Sequence, residues 1–182
     1  MAAQPDALPA AESVTLRDGT SVIIRPILPD DAPRLQALHA RLSPHSVYLR
    51  FLEQRKELSQ KDAQSLAGVD YHERMAFVAT VPDADDIIGV ARYASFAPKE
   101  PHIAEAAIVV EDAYQGRGLG TQLLQRLLPY AIAHGIRVFQ ATIHYSNDPI
   151  MRFVRRSSLR FETKAEWGVQ EVHVYLNEPR KT

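Results

Sequence analysis

Residues 111–124 read EDAYQGRGLGTQLL, where three glycines at alternate positions precede a leucine-rich run. The whole chain has only eight glycines in 182 residues, so this is a strong local concentration. The three are Gly116, Gly118 and Gly120. They lie between a β-type run that ends at Val110 and an amphipathic helix predicted to begin near Leu119. Glycines let an anion approach the main chain, and the unpaired N–H groups of a first helical turn favour negative charge. The stretch therefore predicts a phosphate-binding loop.

Several known kinds of glycine-rich turn must be compared with this stretch. A mononucleotide P-loop needs GxxxxGK[ST], and it is excluded because no lysine occurs between residues 100 and 163. A dinucleotide-binding GxGxxG needs a glycine where Thr121 stands, and it follows a βαβ unit, whereas the preceding strands read as a meander. On the motif alone, a turn and helix start without any ligand stays open.

The remaining periodicities predict one α+β domain. Turn and capping residues mark the first elements: a hairpin at Asp18–Gly19, a helix capped by Asp30 or Asp31, and two shorter helices opened by Ser43 and Ser59. Short apolar runs predict a meander of three strands over residues 75–81, 87–96 and 102–110. A helix over 119–134 ending at Gly135, a strand over 138–144, a helix from Pro149 and strands near 160–167 and 169–176 follow. We expect a mixed, mostly antiparallel sheet of about seven strands, flanked by about four helices.

Length and composition limit the classes of function. We expect a single domain over 13–177, a disordered N-terminal tail over 1–12 and a C-terminal tail over 178–182. A net charge of −1 gives no general attraction to nucleic acid or to an anionic membrane. The chain has no cysteine, which excludes a cysteine acyl-enzyme, and its seven histidines lack metal-site spacing. We therefore expect no metal, no nucleic-acid partner and no membrane partner, and a cytoplasmic location because no export signal or long apolar run is present.

The glycine stretch also carries a family resemblance. Gln115-Gly116-Arg117-Gly118-Leu119-Gly120 resembles the Q/R-x-x-G-x-G/A signature of the GNAT family of N-acetyltransferases. The segments VTLRDGTSVIIRPILPDDAPRL, LSPHSVYLRFL and HIAEAAIVVEDAYQGRGLGTQLL look like the acetyltransferase domain of bacterial Pat-type protein lysine acetyltransferases. The resemblance covers residues 14–176. It implies the GNAT acyl-CoA N-acyltransferase fold, acetyl-CoA as cofactor and an amine as acceptor.

The resemblance also implies a set of cofactor-binding residues. In the family, backbone amides of this loop hold the pyrophosphate, which implies Gln115, Gly116, Arg117, Gly118, Leu119 and Gly120, with the hydroxyl of Thr121 beside them. The strand before the loop pairs with the pantetheine arm, which implies Ile108, Val109 and Val110. Asn147 matches a position that contacts the cofactor arm, although a helix N-cap is an equally good interpretation. Arg152, Arg155 and Arg156 share a helical face, for which solvation is favoured over contact with the 3′-phosphate.

Glu105 is the candidate catalytic residue. It is the one carboxylate in HIAEAAIVV, a strand that is otherwise apolar on both faces, and a buried acid without a partner is costly. We therefore expect a buried Glu105 with a functional role. In Pat-type enzymes the glutamate at this place is the general base, which the chemistry requires because a lysine amine with a pKa of about 10.4 is protonated at neutral pH. The helix after Asn147 lacks the tyrosine that many family members use as general acid.

Three hypotheses for function stay open. The first is acetyl-CoA-dependent acetylation of protein lysine by direct attack in a ternary complex, by a monomer or a homodimer. The second is acetylation of a small amine or amino-acid-like metabolite, and the third is an acyl-CoA-sensing module without catalysis. In this fold the first helices and the final hairpin select the acceptor, which here means residues 43–51 and 166–169. Tyr48, Arg50 and Trp167 lie in them, and for any single aromatic residue a place in the core is favoured.

Overall fold

The computed structural model describes residues 8–180, which form one mixed sheet of eight strands flanked by five α-helices. The strands are β1 (Glu12–Thr15), β2 (Ser21–Pro26), β3 (Arg74–Thr80), β4 (Ile87–Phe96), β5 (Glu100–Val110), β6 (Val138–His144), β7 (Leu159–Glu166) and β8 (Val169–Pro179). The helices are α1 (Ala32–Arg41), α2 (Pro44–Phe51), α3 (Gln60–Ala67), α4 (Leu119–Ala133) and α5 (Asp148–Arg156).

The spatial order of the strands is β1-β2-β3-β4-β5-β6-β8-β7, and every pair is antiparallel except β5 with β6. That parallel contact is short, because it joins only Ile103 with Val138, Ala104 with Phe139 and Glu105 with Gln140. Beyond Glu105 the two strands separate, although β5 continues to Val110 and β6 to His144. The sheet therefore has a gap in its middle, which we call the β5–β6 gap.

Helices cover both faces of the sheet. On one face α4 buries its leucines at 119, 123 and 127 against β2–β5, in a cluster that also contains Tyr93 and Phe139. On the other face α1 and α3 pack with Ile27, Val78 and Ile87. A smaller cluster joins α5 to β6 and β8. Alternation along β5 sends its even-numbered side chains, such as Ile108, toward α4 and its odd-numbered side chains, such as Val109, toward α1–α3.

The predicted α+β class and mixed sheet are confirmed. The sheet has eight strands rather than about seven because the N-terminal hairpin supplies two, and the three N-terminal helices raise the helix number to five. Ser43 and Ser59 cap α2 and α3 as predicted, each accepting a hydrogen bond from the N–H three residues on. Residues 1–7 and 181–182 of the predicted tails lie outside the described residues. The strand β8 extends to Pro179, two residues beyond the predicted domain limit.

The prediction that the side chain of Asp30 or Asp31 caps α1 is wrong. Asp31 stands at the N-cap position but makes no side-chain capping bond. Its buried carboxylate instead accepts bonds from Arg25 at 2.7 and 2.9 Å, from the Leu28 N–H at 2.8 Å and from Arg34 at 3.2 Å. Burial opposes ionisation, but these hydrogen bonds and the two guanidinium charges outweigh it, and the pKa of Asp31 lies below its ordinary value. The residue anchors the turn between β2 and α1.

Candidate active site

The β5–β6 gap exposes main-chain groups of β5. The N–H of Glu111 donates to the Ile88 carbonyl at 2.8 Å, so in the antiparallel alternation Glu111 and Val109 direct their main chain toward β4. The main-chain N–H and C=O groups of the alternate residues, Ile108 and Val110, point into the gap. Of the three residues that the sequence implies for pairing with an extended ligand, these two are therefore oriented for it. Val109 instead pairs with β4 and contributes its side chain to the opposite face.

The glycine stretch forms a cradle of free amides at the start of α4. Gly116 has φ +74° and Gly118, the N-cap of α4, has φ +91°, a left-handed conformation that side chains disfavour. The first main-chain bond of the helix runs from Gln122 to the Gly118 carbonyl at 3.1 Å. Within residues 8–180, no hydrogen bond uses the N–H of any residue from 116 to 121. Six consecutive unpaired N–H groups at a helix N-terminus are suited to an anion with several oxygens.

Two arginines flank this cradle in different ways. Arg117 donates to the Asp18 carboxylate at 2.7 Å and lies 5.3 Å from the ring centre of Tyr114, so its charge already has a partner. Arg17 donates its N–H to the Arg117 carbonyl at 3.1 Å, and its side chain borders Gly118, where an added Cβ would lie 3.2 Å from its Nε. No carboxylate in the described part of the chain pairs with Arg17. Arg17 has no signal in the sequence, because the contact joins segments about a hundred positions apart.

A network of side chains ties the cradle to α2. The Asp112 carboxylate accepts bonds from the Ser43 N–H at 2.9 Å, the Ser43 hydroxyl at 2.7 Å and the Ser46 hydroxyl at 2.8 Å. Gln115 donates to the Val110 carbonyl at 3.0 Å and to the Ser46 hydroxyl at 3.1 Å. Burial raises the pKa of the Asp112 carboxyl, but the hydrogen bonds from Ser43 and Ser46 lower it more. The pKa of Asp112 therefore lies below its ordinary value. The loop and the N-terminus of α2 are therefore fixed to each other.

The β5–β6 gap opens into an apolar cleft between the sheet, α4 and α5. Its walls include Ala106, Ile108, Leu124, Phe139, Ile143 and Phe153. Asn147 lies at the N-terminus of α5, where it is buried and makes no side-chain capping bond. The structure thus gives no support to the helix-cap interpretation of Asn147, and the ligand-contact interpretation stays a prediction. On the outer side of the same helix, Arg152, Arg155 and Arg156 are exposed.

Glu105 lies at the vertex of the gap. It is the last β5 residue that pairs with β6, opposite Gln140, and its side chain is on the α1–α3 face of the sheet. The expectation that it is buried is wrong, because the side chain is exposed. Alternation predicts which face a side chain occupies, but here no helix covers that face beside Glu105. An exposed carboxylate at the vertex can receive a proton from an incoming group.

A second cavity lies on the Glu105 face between the sheet and α1–α3. Arg50, from α2, and Arg92, from β4, line it together with His39 and apolar side chains. Burial lowers the pKa of Arg50, while the charge of Glu105 opposes that shift. Burial and the charge of Arg50 lower the pKa of Arg92 to about 10. We call this space the α1–α3 cavity.

The end of the sheet beside the gap carries aromatic side chains. The ring of Tyr48, from α2, lies 5.4 Å from that of His144 at the end of β6, so α2 reaches across to the second strand of the gap. Trp167 is 97% exposed at the tip of the β7–β8 hairpin, where its φ is +45°. The expectation that a single aromatic residue here belongs to the core is wrong for Trp167. Its place directly before Gly168 in a two-residue turn puts the side chain in solvent.

Comparison with known proteins gives the family. The sequence profile of the acetyltransferase (GNAT) family matches residues 38–158, about two thirds of the chain, and this span includes Glu105, the glycine loop and Asn147. The chain belongs to the GNAT family.

Individual GNAT relatives support this assignment. The chain is 37% identical over 125 residues to an acetyltransferase of Pseudomonas aeruginosa, covering 68% of this chain and 66% of that protein. It is 29% identical over 168 residues to the acetyltransferase Pat of Mycolicibacterium smegmatis, covering 91% of this chain and 47% of the relative. The chain thus spans about two thirds of the first relative's length and about half of the second's.

Solved structures show the same GNAT fold. The GNAT domain of S. lividans PAT superposes with a TM-score of 0.82 at 30% identity, covering 92% of this chain and 98% of that domain. An acetyltransferase structure from Salmonella typhimurium with its cofactor acetyl-CoA has a TM-score of 0.68 at 18% identity, covering 86% of this chain and 95% of that chain. The second likeness concerns the fold alone.

Residues 8–180 contain no group of three or more His, Asp or Glu side chains placed to hold a metal ion. No helix in the same range has the length and apolar character needed to cross a membrane.

Proposed function

We propose that this protein is an acetyl-CoA-dependent N-acetyltransferase that acetylates the side-chain amine of protein lysine, with Glu105 as general base. The observation that carries the proposal is the position of Glu105, the last paired residue before the β5–β6 gap. The N–H groups of Ile108 and Val110 beside the gap, the apolar cleft and the cradle of free amides support binding of an acyl-CoA next to it. The likeness to Pat and to the GNAT domain of S. lividans PAT supports a protein acceptor.

The residues present fit acetyl-CoA. An anion with several oxygens suits the amides of residues 116–121, and an extended amide-containing arm suits the main chain of Ile108 and Val110. Asn147 offers a buried amide beside the cleft, and Arg17 adds a positive charge at Gly118. When bound, acetyl-CoA supplies an acetyl group already activated as a thioester. The protein must then position the acceptor amine and remove its proton.

Glu105 performs the proton step. A lysine ammonium with a pKa of about 10.4 cannot attack, so Glu105 accepts one of its protons directly or through a water molecule. The free amine nitrogen forms a bond to the acyl carbon, the carbon–sulfur bond breaks, and the sulfur leaves as a thiolate. The attacking nitrogen still carries one extra proton, which passes to the thiolate directly or through solvent water. No tyrosine lies in α5, and Tyr145 is 68% exposed against His144, so transfer through solvent water is the simplest route.

The decisive experiment measures CoA release from acetyl-CoA with candidate proteins, lysine peptides and small amines. Glu105→Gln should lower kcat about 100-fold or more at neutral pH and leave the affinity for acetyl-CoA nearly unchanged. Glu100→Gln, at the exposed start of the same strand, is the matched control and should retain wild-type kcat. If Glu105→Gln instead loses acetyl-CoA binding with an unchanged kcat, Glu105 is structural rather than catalytic.

A second candidate is acetylation of a small amino-acid-like amine. The α1–α3 cavity favours it, because that space is largely apolar and contains two guanidinium groups. Turnover with small amines alone would establish this candidate in place of the first. Tight acetyl-CoA binding without turnover on any acceptor would support a sensing module instead.

A further inference from the structure

The α1–α3 cavity contains two positive charges in an otherwise apolar wall. Its apolar lining includes five leucines, two valines and one alanine: Leu35, Leu38, Leu42, Leu58, Leu66, Val90, Val109 and Ala107. Arg50 and Arg92 are the two cationic members of the lining. Isolated charges in such surroundings are unfavourable unless a counter-charge compensates them. The cavity therefore raises the question of which anion compensates the two guanidinium groups.

Neither guanidinium has a carboxylate in contact. Within the described range, no ion pair of 4.0 Å or less involves Arg50 or Arg92. Arg92 makes one hydrogen bond, to the Leu66 carbonyl at 3.2 Å, and Arg50 lies 4.8 Å from the ring centre of Phe51. By contrast, Arg25, at a similar depth in the same protein, holds Asp31 at 2.7 Å and a second carboxylate at 3.5 Å. Most donor groups of the two cavity arginines are thus available.

Glu105 does not complete the charge balance. Its charge acts on both Arg50 and Arg92, but it is an exposed carboxylate outside contact distance. One carboxylate against two guanidinium groups also leaves an excess of one positive charge. The buried ring of His39 borders the same cavity, and its Nε2 has no hydrogen-bond partner among the described residues. The cavity thus contains an unbalanced positive charge and a ring nitrogen without a partner among the described residues. Both lie on the face of the sheet that carries the Glu105 side chain.

We propose that Arg50 and Arg92 form a carboxylate-binding subsite for the acceptor, so that the preferred acceptor carries a carboxylate close to the amine that is acetylated. A guanidinium group offers a fork of donors that matches a carboxylate, and two such forks in an apolar cavity give strong charge-assisted bonds. The subsite rests on the proposed transferase function and specifies its substrate class. The carboxylate belongs either to an acidic side chain beside a target lysine or to a free amino-acid-like amine.

The test uses two matched pairs of acceptors. One pair is a lysine peptide with glutamate or glutamine next to the lysine, and the other is 5-aminopentanoate or pentylamine. The wild type should prefer the carboxylate member of at least one pair by roughly tenfold or more in kcat/KM. Arg50→Gln and Arg92→Gln should abolish that preference, so that the kcat/KM values of the two members become nearly equal. A preference in the peptide pair identifies an acidic side chain, and a preference in the small pair alone identifies a free carboxylate.

Controls separate a lost subsite from a damaged fold. Arg160→Gln removes the same charge from the outer strand β7, where the arginine pairs with Glu162 and Glu178, and should keep the wild-type preference. Arg50→Lys retains the charge without the fork and should restore part of the preference. Equal losses for both members of a pair in the Arg50→Gln and Arg92→Gln variants, or no preference in the wild type, would overturn the subsite.

The subsite can also be judged without turnover. Binding of 5-aminopentanoate and pentylamine to the CoA-loaded protein is measured by ligand-observed NMR for the wild type and for Arg50→Gln. Selective binding of the carboxylate member that Arg50→Gln removes would support the subsite even if no acetyl transfer occurs, in which case only the proposed function fails. Equal binding of both compounds would refute the subsite whether or not transfer is observed.

Discussion

Alanine substitutions at the three loop glycines should separate backbone strain from loss of the anion cradle. Gly118 has φ +91°, and an added Cβ would lie 3.2 Å from the Arg17 Nε. A non-glycine residue in the left-handed region costs roughly 1–2 kcal/mol, so Gly118→Ala should lower the melting temperature by about 2–8 °C for a chain of this length. Gly116 has φ +74° with no atom within 4 Å of an added Cβ, so Gly116→Ala should show the backbone cost alone.

Gly120 provides the matched control within the same loop. It lies inside α4 without a positive φ, and an added Cβ would meet Ile108 at 3.4 Å, an ordinary contact. Gly120→Ala should therefore keep or raise the melting temperature, because alanine favours the helix by about 1 kcal/mol over glycine.

Calorimetric titration with CoA and with pantetheine then tests the cradle itself. Pantetheine lacks the pyrophosphate, so a variant that damages only the cradle should bind it as the wild type does. Gly118→Ala should weaken CoA by roughly 10- to 150-fold, the equivalent of one lost hydrogen bond to a charged group. Unchanged CoA affinity in Gly118→Ala, or an equal loss for both ligands, would refute the assignment of residues 116–121 as the pyrophosphate site.

Three further substitutions test other features of the structure. Asn147→Ala should weaken CoA binding while changing the free energy of unfolding by less than about 0.5 kcal/mol, because no capping bond is lost, whereas Ser59→Ala removes a real cap and should cost about 1 kcal/mol. A loss of stability in Asn147→Ala equal to that of Ser59→Ala, with normal CoA binding, would show a purely structural role. Trp167→Asn should leave the melting temperature unchanged or raise it, since the side chain is 97% exposed at a positive φ; a clear decrease would contradict the exposed position. Asp31→Asn should cost about 3 kcal/mol near pH 7, because Arg25 loses its partner at 2.7 Å and keeps only the longer contact with Asp85 at 3.5 Å. Because the folded pKa of Asp31 is lowered, the wild type should lose this advantage as the pH falls below the ordinary value of 3.8. Urea titrations of both proteins at about pH 7 and about pH 3 measure it, and a difference that does not shrink in acid would contradict the ion pair.

Local sequence signals predicted the elements of the fold well. The turn at Asp18–Gly19, the capping serines at 43 and 59 and the stop at Gly135 each act within a few residues, so the printed sequence contains all the necessary information. The glycine loop is local in the same sense, since its conformation follows from the positions of glycines before a helix. The sequence predicts about seven strands and the structure has eight, because the first hairpin supplies two strands, β1 and β2.

Contacts between distant segments could not be predicted in this way. The Arg117–Asp18 ion pair joins positions 99 apart, and the Ser43–Asp112 bonds join positions 69 apart. Neither pairing has a sequence signature, because it depends on how β1–β2 and α2 dock beside the loop. The same holds for Arg92, which reads as an ordinary strand residue until α2 brings Arg50 into the same cavity.

The exposure of individual side chains was the least predictable property. The alternating pattern of β5 predicts the face of the sheet on which the Glu105 side chain lies. It does not predict that this side chain is exposed to solvent. The size and apolar character of Trp167 favour the core, yet its position in a two-residue turn overrides that preference. In both cases burial depends on which elements cover a position, and that is a property of the whole fold.

The β5–β6 gap has a consequence for hydrogen exchange in this sheet. Amide protons in the middle of a sheet normally exchange slowest, because both neighbouring strands protect them. In β5 the amides of Ile108 and Val110 face the gap, whereas Val109 and Ala107, on the side of β4, are paired. Exchange along this central strand should therefore alternate between fast and slow from one residue to the next. Saturation with CoA should slow the fast set alone, so two backbone amides can report on occupancy of the cleft without any catalytic turnover.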